Sequence, residues 1–212
     1  VVNDCSEDDS EMVLARLKQK YPRLYYTNIP MDRRFHHGKK LALTIGVKAA
    51  AHDYLVLTDA DCKPVSSQWL KKIMEGFSDE EKEIVLGFGG YRKTKGFLNL
   101  LIRYDTFWVA MQYLGFALSG KPYMGVGRNL AYRKDLFIKG YGFRNHSHIA
   151  SGDDDLFVQE HATAKNCAVV IDREAHTHSE PPATWKNWRI QKSRHLTTAP
   201  HYKRGIKLEL IA

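Results

Sequence analysis

The sequence contains few cysteines, and those it has are far apart. Only three occur in 212 residues, at Cys5, Cys62 and Cys167. An odd number at these separations predicts neither a framework of disulfide bonds nor a zinc site, and it is typical of a protein in a reducing compartment. The small disulfide-stabilised domains and the zinc modules are therefore excluded as classes for this chain.

A long apolar run without charges is also missing. The longest apolar stretch, residues 96–118, carries Arg103 and Asp105 near its middle. A helix that crossed a bilayer here would place both charges in hydrocarbon, at a high cost in free energy. The stretch instead predicts an amphipathic helix on a protein core, in an acceptor groove or at a membrane interface, and packing on the core is favoured.

Acidic residues are outnumbered by basic ones. The chain has 32 Lys and Arg against 24 Asp and Glu, a formal net charge of +8. Such an excess is typical of proteins that bind nucleic acid, phosphorylated small molecules or an acidic membrane, although a solvated basic surface has the same composition. With 43% hydrophobic residues, the chain can bury the core of one globular domain.

The order of helical and strand patterns predicts an α/β fold. The strand patterns are at 23–29, 54–58 and 83–91, and the helical ones follow Asp9, Gly38 and a cap at Ser66 or Ser67. Strands this apolar favour a mostly parallel sheet that is covered by helices. Residues 179–184, with two prolines, are typical of a loop.

Two carboxylates follow the strand pattern at 54–58. Asp59 and Asp61 are separated by one alanine, at the strand end where open α/β sheets bind their ligands. Their mutual repulsion would be relieved by a divalent cation, and Mg²⁺ or Mn²⁺ would complete its shell with waters and a substrate diphosphate. An isolated Asp-x-Asp is more often a solvated turn, so the hypothesis depends on the other motifs.

Other segments contain residues suited to a nucleotide or to proton transfer. Lysines at a helix N-terminus favour an anion, and closely spaced glycines let the backbone approach a ligand. The segments are VVNDCSEDDS at 1–10, GKKLAL at 38–43, TDADC at 58–62, GVGRNLAYRK at 125–134, GDDDLF at 152–157 and QKSRH at 191–195.

In this order, the six segments resemble the family 2 inverting glycosyltransferases with the GT-A (Rossmann-like) fold. The likeness is greatest to the membrane-associated branch related to cellulose, hyaluronan and ceramide-glucose synthases. It covers nearly the whole chain and implies one catalytic domain over residues 1–212, with a nucleotide-binding part at 1–95 and an acceptor-side part at 96–212. It also implies that the first strand and helix of the family precede Val1, so that the chain is a fragment.

The resemblance implies roles for residues on the donor side. Asp4 would contact the uracil of the nucleotide, and Lys39 would contact the nucleotide as well. Asp59 and Asp61 would hold the diphosphate through the bound metal.

On the acceptor side, the resemblance implies that a carboxylate of GDDDLF is the general base. The run of three aspartates permits two alignments, so Asp153 and Asp154 are both candidates, and Asp154 is favoured. Gln191 and Arg194 would correspond to the Gln-x-x-Arg-Trp motif beside acceptor and diphosphate. His195 takes the place of the tryptophan, which favours the transfer of a single sugar over processive synthesis.

The expected activity is the metal-dependent transfer of a hexose, with inversion, from a UDP-linked sugar to a hydroxyl of a lipid or saccharide. The expected place is the cytoplasmic face of the cell membrane, with attachment through segments outside this chain and without a nucleic-acid partner. One alternative is a nucleotidyltransferase, but its Gly- and Lys-rich loop is missing. Another is a module that binds nucleic acid or a membrane surface through residues 185–207, which are basic and aromatic without an acidic residue.

Overall fold

The computed structural model describes residues 1–31, 38–149 and 151–211. Within these ranges, helices and strands alternate along most of the chain. The strands are β1 (Val2–Asp4), β2 (Thr27–Ile29), β3 (Tyr54–Leu57), β4 (Cys62–Pro64), β5 (Ile84–Gly87), β6 (Gly89–Tyr91), β7 (Leu130–Arg133), β8 (Cys167–Val170) and β9 (Thr177–Ser179). The α-helices are α1 (Ser10–Lys20), α2 (Lys39–Ala49), α3 (Trp69–Glu75), α4 (Phe97–Leu118), α5 (Lys134–Lys139), α6 (Asp155–His161), α7 (Trp185–Leu196) and α8 (Arg204–Ile211).

The described strands form three small sheets. β1 and β2 form a parallel pair, a second sheet has the order β3-β7-β5-β8, and a third has the order β4-β9-β6. β7 is antiparallel to both β3 and β5, whereas β8 is parallel to β5. In the third sheet, β9 is parallel to β6 and antiparallel to β4. The predicted α/β class is confirmed, but the described pairings are mixed rather than mostly parallel.

The reversed direction of β7 explains this difference. Its first residue, Leu130, pairs with Leu57 and Leu86 near the carboxyl ends of β3 and β5. The chain therefore enters β7 at the end where the neighbouring strands finish. An apolar strand pattern carries no information on direction, which depends on where the preceding helix delivers the chain.

The strand predicted at 83–91 is divided at Phe88. Its first part, β5, belongs to the four-stranded sheet, and its second part, β6, belongs to the three-stranded sheet. The carbonyl oxygen of Phe88 accepts hydrogen bonds from Asn129 Nδ2 (2.9 Å) and from the backbone N–H of Thr177 (3.2 Å). These bonds satisfy the backbone where the chain passes from one sheet to the other.

The core lies on both faces of the four-stranded sheet. Ile84 and Leu86 of β5 pack on one side with residues of α4 and α6, and Val85 packs on the other side with Ile73 of α3. Because side chains alternate along a strand, consecutive residues of β5 are buried on opposite faces of the sheet. The prediction that helices cover both faces of the sheet is confirmed.

The predicted amphipathic helix at 96–118 is α4. Its buried side contributes Ile102, Ala110, Tyr113 and Leu114 to the interior. In the described part of the chain, none of the helices has the length and apolar character needed to cross a bilayer.

Candidate active site

A polar cleft of about 320 Å³ opens where β3 ends. It brings together the segment after β3, the loop before β7, the start of α6 and one side of α7. Most of the predicted site residues line it, namely Lys39, Asp59, Asp61, Asp154, Gln191 and Arg194.

Lys39 connects two of the predicted carboxylate motifs. Its Nζ lies 2.8 Å from Oδ1 of Asp59 and 2.8 Å from Oδ2 of Asp153. Burial lowers the pKa of Lys39, but the negative charges of Asp153 and Asp59 outweigh this effect and raise it above its ordinary value. Lys39 therefore holds a fixed positive charge between the segment after β3 and the start of α6.

Asp154 is held by backbone groups. The N–H of Gly127 donates to its Oδ2 (2.6 Å), and the N–H of Asp155 donates to its Oδ1 (2.8 Å), so that Asp154 caps α6. Burial, together with the charges of Asp153 and Asp155, raises the pKa of Asp154 to about 7. A carboxylate with this pKa is suited to accept a proton near neutral pH.

The other two aspartates of the run have different partners. Asp153 is buried, and it is the one that forms the ion pair with Lys39. Asp155 is also buried, and it accepts hydrogen bonds from the Tyr202 hydroxyl (2.8 Å) and from the N–H of Leu156 (2.8 Å). Asp155 therefore ties α6 to the segment that follows α7.

The charged groups converge on Gly127. A Cβ at this position would lie 2.8 Å from Lys39 Nζ, 3.3 Å from Asp154 Oδ2 and 3.4 Å from Asp59 Oδ1. A side chain would displace at least the lysine, because a contact of 2.8 Å is closer than real Cβ atoms allow. Glycine at this position therefore leaves room for the Lys39 ammonium at the centre of the site, in agreement with the close backbone approach that the glycines of GVGRN predict.

Asp59 and Asp61 fit a hard divalent cation. One carboxylate oxygen of each, together with Cys62 Sγ, lies in a group whose atoms are all within 4.8 Å of one another. Carboxylate oxygens suit Mg²⁺ and Mn²⁺, whereas thiols suit softer metals. The thiol of Cys62 has its own contact, 3.0 Å from Ser179 Oγ across the β4–β9 pair. The two carboxylates are therefore the candidate metal ligands.

The predicted acceptor-side residues lie on α7. This helix is capped by Thr184, whose Oγ1 accepts from the N–H of Asn187 (3.2 Å). An ion pair between Lys192 and Asp105, 2.7 Å long, joins α7 to α4. α7 is thereby held beside the cleft, with Gln191 and Arg194 in its lining.

Asp4 and the second lysine of GKKLAL lie elsewhere. Asp4 is outside the cleft lining, and its Oδ2 accepts a hydrogen bond from the N–H of Gly38 (2.7 Å), just before α2. It thus orders the start of the helix that carries Lys39, and its contact with uracil stays a prediction. Lys40 turns away, since its Nζ donates to the carbonyl oxygens of His146 (2.6 Å) and Ile149 (2.9 Å).

Sequence reasoning missed two residues of GVGRN. Arg128 lines the cleft, and the side chain of Asn129 bonds to Phe88, Ala175 and Trp69, at distances of 2.9, 2.7 and 3.0 Å. The glycines of this segment drew attention to a close backbone approach. The charge of Arg128 and the amide of Asn129, next to these glycines, are the signal that could have identified the two residues.

The fold belongs to the GT-A class. The family model "Glycosyl transferase family 2" matches residues 1–140, and the chain belongs to this family. The base motif and α7 lie beyond the matched residues. No curated protein sequence matches the chain.

Several solved structures share this fold. A mannosyltransferase from Pyrobaculum calidifontis, solved with GDP-mannose and Mn²⁺, is 19% identical with a TM-score of 0.65; the match covers 96% of this chain and 55% of that one. S. aureus TarS is 16% identical with a TM-score of 0.56, at 85% and 30% coverage. Glucosyl-3-phosphoglycerate synthase from Mycobacterium tuberculosis, solved with phosphoglyceric acid, is 15% identical with a TM-score of 0.51, at 93% and 67% coverage. This chain thus spans about half the length of the mannosyltransferase.

Proposed function

We propose that the protein transfers a hexose from a UDP-linked sugar to an acceptor hydroxyl, with inversion, and uses Mg²⁺ or Mn²⁺. The observation that carries this function is the convergence of Lys39, Asp59 and Asp154 around Gly127 in one cleft. It joins candidate ligands for a metal and diphosphate to a candidate base, which is the pair of elements that an inverting transfer requires.

On the donor side, Asp59 and Asp61 would hold the divalent cation. When bound, the cation supplies positive charge that stabilises a leaving diphosphate. Lys39 adds a second positive charge, which the neighbouring carboxylates keep protonated. The mannosyltransferase neighbour contains GDP-mannose and Mn²⁺, and this supports a nucleotide sugar and a metal here as well.

On the acceptor side, Asp154 would act as the general base. The acceptor oxygen attacks the anomeric carbon opposite the diphosphate, its proton passes to a carboxylate oxygen of Asp154, and the bond to the diphosphate breaks. One displacement inverts the configuration and needs no covalent intermediate. Asp153 is the second candidate, but its carboxylate is already bound to Lys39.

Gln191 and Arg194 would contact the acceptor and the diphosphate. Both lie on α7, which the Lys192–Asp105 ion pair attaches to α4. The planar guanidinium of Arg194 offers a cation and paired N–H donors to phosphate or sugar oxygens. A screen of nucleotide sugars for metal-dependent release of nucleoside diphosphate tests this function.

We also propose that the domain works on the cytoplasmic face of the cell membrane, with an apolar stripe of α4 against the lipid. Apolar side chains that recur every three or four residues lie along one face of a helix. The stripe consists of Phe97, Leu100, Tyr104, Phe107, Trp108, Met111 and Leu118, which are 49–70% exposed. A contiguous exposed surface of this kind marks an interaction site.

The charges near the stripe favour an anionic bilayer as its partner. Lys93 and Lys95 are exposed just before α4, and Lys186 is exposed at the start of α7. Trp185 of α7 extends the surface, with its ring centroid 6.4 Å from that of Phe97. Aromatic side chains bordered by lysines suit the boundary between acidic headgroups and acyl chains.

Replacing Phe107 and Trp108 together by serine should weaken binding to vesicles rich in phosphatidylglycerol by at least about tenfold, because two half-exposed aromatic side chains lose their burial in lipid. Cosedimentation of the chain with vesicles measures this. Leu70→Ser is the matched control, since Leu70 is 54% exposed on α3, outside the stripe. Equal binding by the double variant and the wild type would contradict the assignment of this surface.

A further inference from the structure

Arg128 lines the cleft and forms no ion pair with a carboxylate of the described residues. Its Cζ is 4.6 Å from the centroid of the Tyr91 ring. Its Nη1 is buried and finds no hydrogen-bond partner in the described parts of the chain. The ion pairs formed among these residues do not include Arg128. A partly buried cation without a hydrogen-bonded anion costs free energy, and an anionic ligand that pairs with it removes this cost.

The backbone of Arg128 is fixed from several sides. Its carbonyl oxygen accepts from Thr58 Oγ1 (3.2 Å) and from Thr177 Oγ1 (2.9 Å), which belong to different segments. Gly89 packs so closely that a Cβ there would lie 2.7 Å from the Cβ of Arg128. Tyr91, only 8% exposed, provides a rigid surface under the guanidinium. The side chain is therefore held in position before any ligand binds.

Two carboxylates that line the cleft have other cationic partners. Asp105 is bound by Lys192 at 2.7 Å, and Asp59 is bound by Lys39 at 2.8 Å. Each of these pairs neutralises one charge within the protein. Arg128 has no such partner among the described residues, so its charge is available to a ligand.

We propose that Arg128 binds an anionic oxygen group of the substrate, a phosphate or a carboxylate that can accept two parallel hydrogen bonds from the guanidinium. The proposed sugar transfer offers two sources of this group. One is the diphosphate of the donor, and the other is an anionic group on the acceptor. The assignment of a source rests on the proposed function, whereas the anion site itself rests on the geometry of Arg128 and Tyr91.

Calorimetric titrations of the wild type and of Arg128→Gln test the site. The protein is titrated with UDP, GDP or pyrophosphate in the presence of Mn²⁺. Inorganic phosphate is then titrated into the nucleotide-saturated protein. If the group belongs to the donor, the dissociation constants for nucleotide and pyrophosphate should rise by at least about tenfold. If it belongs to the acceptor, nucleotide binding should stay unchanged and phosphate binding should weaken to this extent.

Two further variants complete the test. Arg128→Lys keeps the charge but loses the planar pair of donors, so its dissociation constants should lie between those of the wild type and of Arg128→Gln. This variant can be used if the glutamine variant does not fold. Arg144→Gln is the matched control, because Arg144 lies 5.9 Å from the Tyr141 ring outside the cleft lining.

The anion site would be overturned if folded variants of Arg128 bound every probe within about twofold of the wild type. It would also be overturned if the wild type bound none of the probes. If pyrophosphate bound in an Arg128-dependent way while neither nucleotide bound, the anion site would stand and the glycosyltransferase function would fall.

Discussion

We expect Asp154→Asn to lower the rate of sugar transfer on the order of 10²-fold or more while donor binding is retained. Asparagine keeps the shape of the side chain but cannot take the proton of the acceptor. Its single amide oxygen can also accept only one of the two hydrogen bonds that Gly127 and Asp155 donate to the carboxylate. A loss of stability of about 1–3 kcal/mol is therefore expected, and transfer must be measured well below the unfolding temperature.

The pH profile of the wild type provides a second readout of the same base. Asp154 must be deprotonated to act, and its pKa is raised to about 7. Transfer should therefore increase as the pH rises through about 7 and level off above it. In Asp154→Asn, the residual transfer should no longer increase as the pH rises through about 7.

Two neighbouring variants provide the controls. Asp155→Asn changes a buried carboxylate that accepts hydrogen bonds from Tyr202 and Leu156. Its loss of stability and of transfer measures the effect of replacing a buried aspartate of this segment by asparagine. Asp153→Asn tests the other alignment of the base motif. If Asp153→Asn abolished transfer while Asp154→Asn transferred normally, Asp153 would be the base.

Asp61→Asn should weaken Mn²⁺-dependent binding of UDP by clearly more than the roughly fivefold that corresponds to a lost surface contact of ~1 kcal/mol. Asp61 is exposed at the mouth of the cleft, so the substitution should leave the fold intact. Titration with UDP in Mn²⁺ and in EDTA measures the effect. In EDTA, the variant and the wild type should bind alike, because neither holds a metal.

Asp53→Asn is the matched control for Asp61→Asn. Asp53 is also exposed, but it precedes β3 whereas Asp61 follows it. The control should bind UDP with Mn²⁺ as the wild type does. Unchanged metal-dependent binding in folded Asp61→Asn would remove Asp61 from the candidate metal ligands.

The elements that depend on local pattern could be predicted from the sequence. The apolar spacing of residues 96–118 predicted α4, and the two prolines before Thr184 predicted the loop between β9 and α7. The position of Asp59 and Asp61 followed from a strand that ends directly before them. Each of these inferences uses residues that are neighbours in the chain.

The features that depend on distant contacts could not be predicted. The strand pattern at 83–91 divides because the side chain of Asn129, 41 residues from Phe88, bonds to the Phe88 carbonyl. The helix predicted after Ser66 begins only at Trp69, and Ser66 forms a turn by accepting from the N–H of Gln68 (3.0 Å). Leu70 of this helix is apolar and yet 54% exposed.

The same limit applies to the candidate site. Lys39 and Lys40 are equivalent in the pattern GKK, but only Lys39 reaches Asp59 and Asp153, because Lys40 is bound by backbone carbonyls more than a hundred residues away. The stacking of Arg128 on Tyr91 is likewise a contact between distant segments. Composition and spacing indicate which residue types are present, and the fold decides which of them meet.

The measurement that tests the proposed function most directly is the product released from nucleotide sugars by residues 1–212. The chain is incubated with UDP-hexoses and GDP-mannose, with Mn²⁺ or with EDTA, and the nucleotide products are separated by chromatography. We predict the release of nucleoside diphosphate from at least one of these sugars, dependent on Mn²⁺ and lost in Asp61→Asn. Release of pyrophosphate in a parallel incubation with nucleoside triphosphates would instead indicate a nucleotidyltransferase. No release from any sugar, together with strongly salt-dependent binding to oligonucleotides, would contradict the assignment and indicate a nucleic-acid-binding module.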